Sequence, residues 1–289
     1  MKISVVVNPV GAAEERVDLE AALGARSVEA RWIETSEDDP GVSAAQQALD
    51  DGADLILACG GDGTVRAVAE GAVSRNVPIG IIPAGTGNLL ARNLEIPLDV
   101  EEAVDVALSG ERRTLDAGEI EGEIFAVMAG AGVDAVIMDE TSSEAKDRLG
   151  SLAYIVEGAK HVFDEPIEAT VSIGGVTLSS GAWATVLVGN LGRLQGGIDL
   201  FPDSEPGDGR LNLIGLAANS ALEALAAGVA AATRSHSDRL LRASATEFTL
   251  DFSKPVRYEL DGEARSPVGS LDIGVRPGAL MVMAPREKR

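Results

Sequence analysis

The sequence predicts an α/β domain followed by a β-sandwich domain. Three observations lead there. The chain has 289 residues, about twice an ordinary domain, so each half can bury its own core. Up to about residue 110, short apolar runs alternate with longer amphipathic ones, the pattern of a parallel sheet covered by helices. Beyond about Leu115 the pattern changes to many short β-rich runs separated by turn residues.

In the first part, Ile3 to Val7, Val28 to Ile33, Leu55 to Cys59 and Ile79 to Ile82 are β-rich and nearly all apolar. Strands buried on both faces read this way. Glu14 to Leu23, Val42 to Asp50 and Val65 to Val73 carry helical spacing between them. Ligands of open α/β sheets bind beyond the carboxyl ends of the strands, so the chemistry is expected in the turns that follow them. In the second part, Phe125 to Ala129, Ile167 to Ile173, Trp183 to Val188, Arg210 to Ile214, Phe248 to Phe252, Val256 to Leu260 and Leu271 to Val275 read as antiparallel strands. Lys146 to Phe163 and Ala221 to Ala232 read as helices. The expected domains are residues 1–117 and 118–289, with the last strand a candidate to return to the first domain.

Composition excludes several functions. With 46 acidic and 24 basic residues the formal charge is −22, and no Lys/Arg cluster stands out to hold a phosphate backbone, so nucleic acid is not an expected partner. A single cysteine, Cys59, cannot make an internal disulfide, and two histidines without Cys partners do not make a zinc site. The N-terminus runs straight into a Val-rich segment without the order of a secretory signal, and a cytoplasmic chain is expected. The most membrane-like segment, Ala217 to Thr233, is alanine-rich, contains Asn219, Ser220 and Glu223, and is too short to span. Contact with lipid is therefore expected to be peripheral, against the repulsion between an acidic protein and an anionic bilayer. The acidity, with only five lysines, fits either adaptation to a salty cytoplasm or a generally acidic protein.

The sharpest local signal is Gly60-Gly61-Asp62-Gly63-Thr64, between an apolar strand and a helix. Its glycines let backbone approach an anion closely, and the free N–H groups of the helix start complete a phosphate cradle. Asp62 would be repelled by phosphate and is better suited to magnesium or a water on it. The same run also fits a tight turn with Asp as a cap. A second turn, Pro83-Ala84-Gly85-Thr86-Gly87-Asn88, follows the next strand, and Asn8-Pro9-Val10-Gly11-Ala12 follows the first. Together they line one sheet edge with backbone donors, as a nucleoside triphosphate needs. Neither the Walker pattern nor Gly-x-Gly-x-x-Gly is present at these turns. The late turn Asp261-Gly262-Glu263 brings two carboxylates together, suited to accepting a hydroxyl proton and holding a cation, although on the residues alone an Asp-Gly hairpin with a solvated Glu is the commoner reading.

Asn8-Pro9, Gly60 to Thr64, Pro83 to Asn88 and Leu260-Asp261-Gly262-Glu263, in that order, resemble the diacylglycerol kinase catalytic family of bacterial lipid kinases and sphingosine kinases. The Gly-Gly-Asp-Gly-Thr run alone is shared with NAD kinases and phosphofructokinases; the specificity lies in the four motifs together. The resemblance implies a Rossmann-like α/β nucleotide-binding domain, a β-sandwich lipid-substrate domain, and ATP with Mg2+ in the cleft between them. It implies nucleotide contacts at Asn8, Pro9, Val10, Gly11, Ala12 and Thr35, at Gly60, Gly61, Gly63, Thr64, Val65, Arg66 and Ala67, and at Gly85, Thr86 and Asn88. It implies Asp261 as general base, with Glu263 and Asp62 in the magnesium and water network. Asp208, in Asp208-Gly209-Arg210-Leu211, matches an element that binds a structural magnesium in some members, and Asp116 falls where the family has an active-site Asp. Both also read as plain turn residues.

Two departures are visible. Gly11-Ala12 stands where the family often has Ser-Gly, and Leu89 follows Asn88 where many bacterial members have Asp. The expected activity is transfer of the γ-phosphate of ATP to a lipid hydroxyl, first diacylglycerol to give phosphatidic acid, at the inner face of the membrane. Alternatives are a sphingoid-base or other lipid-alcohol kinase, an NAD kinase-like enzyme, and an inactive ATP-binding regulator; a homodimer is left open. Phe125, Phe163, Trp183 and Phe201 are candidate acyl-groove residues. Arg92, Arg148, Arg234, Arg239 and Arg242 are candidates for a basic patch toward the bilayer.

Overall fold

A computed structural model describes residues 1–132, 166–193, 199–217 and 239–286. The helices expected at Lys146 to Phe163 and Ala221 to Ala232, with Phe163, Arg148 and Arg234, lie outside the described residues.

The first part runs β1 (Ile3–Val7), α1 (Ala13–Ala25), β2 (Ala30–Glu34), α2 (Val42–Asp50), β3 (Leu55–Gly60), α3 (Asp62–Gly71), β4 (Ile79–Pro83), α4 (Leu89–Asn93), α5 (Val100–Ser109) and β5 (Glu111–Ile120). The parallel order is β2-β1-β3-β4. Every residue of β1, β3 and β4 is buried, which is why they read as unbroken apolar runs, while edge strand β2 is only partly covered. Helix α1 packs on α5 and α2 on α3.

The second part comprises β6 (Glu123–Phe125), β7 (Met128–Ala131), β8 (Ile167–Ile173), β9 (Val176–Trp183), β10 (Thr185–Gly189), β11 (Leu211–Leu216), β12 (Leu240–Ala245), β13 (Glu247–Leu260) and β14 (Glu263–Ala284). These strands pair antiparallel in the order β12-β11-β10-β7-β13-β14, with the β8–β9 hairpin beside β13.

The long β14 joins the two parts. Its start pairs with β13, its later residues pair antiparallel with β5, and Val282 lies parallel to Ile79 of β4. Leu280, Val282 and Met283 accordingly belong to the first hydrophobic core, with Leu115 and Ala117 of β5. A second core inside the antiparallel strands gathers Phe125, Trp183, Leu211, Phe248 and Leu260. The aromatic residues expected to line a lipid groove are packed inside: Phe125 is 0%, Trp183 3% and Phe201 4% exposed. Trp183 Nε1 also donates to the Ala169 carbonyl at 3.0 Å, as buried indoles do.

Candidate active site

Adjacent parallel strands place the first three motif loops side by side. The Asn8 amide donates to the Cys59 carbonyl at 3.1 Å and the Ala84 amide to the Gly60 carbonyl at 3.0 Å. Asn8 Oδ1 accepts from the amides of Val10 at 3.1 Å and Gly11 at 2.9 Å, an Asx turn that holds the first loop. Pro9 and Val10 lie at its tip, Val10 being 87% exposed, and Thr35 follows β2 beside it, its amide donating to the Val7 carbonyl at 3.0 Å. The two glycine loops touch backbone to backbone: a Cβ on Gly85 would stand 2.6 Å from Gly61 Cα. Glycine is required at this close approach. Asn88, at φ +49°, closes the second loop through Gly85, and Thr86 is exposed at its rim.

Asp62 has a structural task. Its carboxylate accepts from the Asn88 amide at 2.8 Å and from the Leu89 amide, binding the first glycine loop to the second. Burial pushes its carboxyl above the ordinary range, against the pull of those two amides. Leu89, where a carboxylate was the family expectation, is core, at 5% exposure. Behind the first glycine loop, Thr64, Val65 and Ala67 are buried as well, and the Val65 amide donates to the Gly61 carbonyl at 3.0 Å.

The late turn approaches from β13 and β14. Asp261 and Gly262 both have positive φ, +48° and +89°, the geometry of a two-residue hairpin between the paired Leu260 and Glu263. That geometry separates the two carboxylates. Asp261 turns inward: one oxygen accepts from the Ala126 amide at 2.8 Å, the other from Val127 and Met128 at 2.9 Å each, and the residue is 4% exposed. Burial, the largest influence, outweighs those three donors and pushes its carboxyl up to about 6. Glu263 turns outward, its side chain 36% exposed, and stands over the first glycine loop: Oε1 lies 2.1 Å from where a Cβ on Gly63 would be. Its other oxygen accepts from Arg66 Nη2 at 2.7 Å.

Asp116 and Asp208 stand apart from this arrangement. Asp116, 1% exposed, accepts from the amides of Gly209 at 2.6 Å and Gly278 at 2.7 Å, and its own amide donates to the Pro206 carbonyl. In this structure it anchors a loop to β14. Asp208 is exposed and accepts from the Arg210 amide at 2.9 Å. Among the described residues no three acidic, His or Cys groups gather into a metal cluster. Of the candidate basic patch, Arg92 is occupied by the Gly87 carbonyl and Arg242 by that of Leu200.

Four site residues had no signal in the loops themselves: Glu70, Glu123, Glu259 and Arg265. Glu259 Oε2 accepts from the Gly262 amide at 2.6 Å, and burial pushes its carboxyl up to about 8. Arg265 and Glu123 pair at 2.8 Å beside Glu263. For Arg265 a signal was available, because residues two apart on a strand share a face, and Glu263 and Arg265 are two apart.

Residues 2–120 match the diacylglycerol kinase catalytic domain, and residues 127–284 match the YegS C-terminal NAD kinase beta sandwich-like domain. The chain belongs to the diacylglycerol kinase catalytic family. It is 32% identical to a diacylglycerol kinase of Bacillus subtilis (strain 168) over 226 residues, covering 76% of this chain and 74% of that protein. It is 31% identical to a protein named as a YegS-like lipid kinase in Pseudomonas fluorescens over 245 residues, covering 84% and 81%. A crystal structure of a diacylglycerol kinase from Bacillus anthracis superposes with a TM-score of 0.77 at 23% identity, covering 98% of this chain and 96% of that one. Yeast NADH kinase complexed with NADH superposes with a TM-score of 0.54 at 13% identity, covering 98% and 83%. The two structures speak for a shared fold. Family and relatives together make the chain a lipid kinase-type enzyme.

Proposed function

We propose that this protein transfers the γ-phosphate of ATP to the hydroxyl of a membrane lipid, diacylglycerol first, giving phosphatidic acid. The observation that carries the reading is the Glu263 carboxylate held over Gly63, at the seam of two glycine loops whose backbones touch. Backbone amides of those loops hold the phosphates, and the acceptor alcohol enters beside Glu263.

Glu263, rather than Asp261, is assigned the proton. Three amide donors and burial turn Asp261 away from any ligand, while Glu263 keeps Oε1 free of hydrogen-bond donors among the described residues. In the transfer step the substrate O–H proton passes to Glu263, the freed oxygen bonds the γ-phosphorus, and the bond to the β-phosphate oxygen breaks, releasing ADP. Asp261 acts earlier, by fixing the hairpin that delivers Glu263.

The donor set suits a magnesium ion carried in on the nucleotide, since that ion keeps several waters and takes only one or two protein carboxylates. Asp62 is the carboxylate able to hold it or one of its waters, Glu263 being kept for the proton, and the ion would supply neutralisation of phosphate charge. Asp116 and Asp208 are left out of that set. Access to the lipid is peripheral, from the cytoplasmic side; among the described residues no helix is long and apolar enough to cross a membrane.

The test is incubation with labelled ATP, magnesium and diacylglycerol in mixed micelles, with a sphingoid base and NAD in parallel tubes. Labelled phosphatidic acid is the expected product. Label on the sphingoid base keeps the chemistry and changes the lipid, and label on NAD alone overturns the reading. Bound ATP with no labelled product makes the protein a nucleotide-binding regulator.

A further inference from the structure

Arg66 sits in the second turn of α3, only 6% exposed, in the midst of carboxylates from both parts of the molecule. Its Nη2 donates to Glu263 at 2.7 Å and its Nη1 to Glu70 at 3.0 Å, with Glu123 at 3.8 Å. Arg265 closes the cluster, reaching Glu123 at 2.8 Å and the same Glu263 oxygen at 3.4 Å. Arg66 Nε is a buried donor without a partner among the described residues. Two features follow. The guanidinium fork is committed to carboxylates, so it is not free to cradle a phosphate. The unpartnered donor costs stability, and such a cost persists where the surrounding structure over-determines a side chain.

We infer that Arg66 is the positioning residue of the transfer step: by gripping one oxygen of Glu263 it turns the other onto Gly63, where the reacting hydroxyl must come. The inference rests on the proposed role of Glu263. A glutamate at the start of a strand has three side-chain torsions and many rotamers, and the 2.7 Å contact to Arg66, much shorter than the 3.4 Å one to Arg265, selects among them. A planar fork can hold Glu263 and Glu70 together, which a lysine ammonium, a point charge on a flexible stem, cannot do in the same geometry. The grip also spans the fold, since Arg66 belongs to the α/β part and Glu263 opens the strand that joins the two parts. Arg66 therefore enters the account as a side chain acting through Glu263, distinct from the nucleotide contact implied for it by resemblance.

The experiment compares Arg66→Lys and Arg66→Gln with the wild-type full chain, measuring kcat and KM for ATP on the lipid alcohol that the wild type labels, with melting temperature and binding of a fluorescent ATP analogue alongside. A misplacement of about 1 Å near reacting atoms costs on the order of 100-fold. Arg66→Lys is expected to lower kcat roughly 10- to 100-fold with KM for ATP and analogue binding within about threefold, and Arg66→Gln to lose more. If Arg66→Gln fails to fold, Arg66→Lys decides. An Arg66→Lys variant with wild-type kcat per folded molecule, or one whose loss lies in KM and analogue binding, overturns the inference while the lipid kinase reading stands. A wild type that labels no lipid alcohol overturns that reading and this inference with it.

Discussion

Gly63→Ala isolates the geometry on which the account depends. A Cβ there would stand 2.1 Å from Glu263 Oε1 and 3.2 Å from its carboxyl carbon, whereas ordinary contact begins near 3.4 Å. The obstructing atom is the far end of a flexible side chain, so the carboxylate moves away, by more than about 1 Å, and the backbone stays. Gly63 lies within α3 at ordinary helical φ, where alanine is favoured over glycine by up to about 1 kcal/mol, so the fold loses little or gains slightly. Displacing the proton acceptor by that distance should lower kcat about 100-fold. Steady-state kinetics with labelled ATP and diacylglycerol micelles, with a thermal melt, read both quantities. Wild-type kcat in the alanine variant would refute the reasoning. So would a loss confined to KM for ATP, which would mean that the methyl obstructs the nucleotide and leaves Glu263 alone.

Three further expectations follow from the same geometry and charge. Asp261→Asn can still accept from Val127 and Met128 but turns a donor toward the Ala126 amide, so it should lower the melting temperature, while turnover per folded molecule falls less than the about 100- to 10,000-fold expected for loss of a general base; thermal melts and initial rates separate these. The Glu259 carboxyl is held at about 8 in the fold against an ordinary 4.5, so its contribution is complete below pH 4.5 and is lost as pH rises through 8. Glu259→Gln, which still accepts from Gly262, should melt like the wild type at pH 5 and higher at pH 9, by on the order of a few kcal/mol of stability. With a formal charge of −22, molar potassium chloride should raise the melting temperature by screening self-repulsion; a flat or falling value counts against salt adaptation.

The legible parts of this molecule are those with local causes. Strands β1, β3 and β4 stand out because burial on both faces makes them continuously apolar, and the three loops after β1, β3 and β4 because tight turns and close backbone approach need Gly, Pro and Asn. Other elements were hidden by mixed composition. The first half of β5, Glu111-Arg112-Arg113-Thr114, is charged because it lies partly exposed along β14, and β14 itself spans 22 residues of which only Leu271 to Val275 read as strand. Exposed edges and register shifts break the alternation there. In the site, Asp261-Gly262-Glu263 was visible as a pair of carboxylates, yet which one faces a ligand depends on two consecutive positive φ angles and on amides of residues 126–128. The partners of Asp116, the amides of Gly209 and Gly278, are likewise distant in sequence, so its anchoring of a loop to β14 has no local signal.

The most direct measurement of the central claim is single-turnover transfer from labelled ATP to diacylglycerol by the wild type and by Glu263→Gln, with nucleotide binding measured on the same samples. Glutamine fills the same volume and can still accept from Arg66, so fold and ATP affinity should hold while the transfer rate falls roughly 100- to 10,000-fold. A Glu263→Gln protein that makes phosphatidic acid at the wild-type rate would contradict the account.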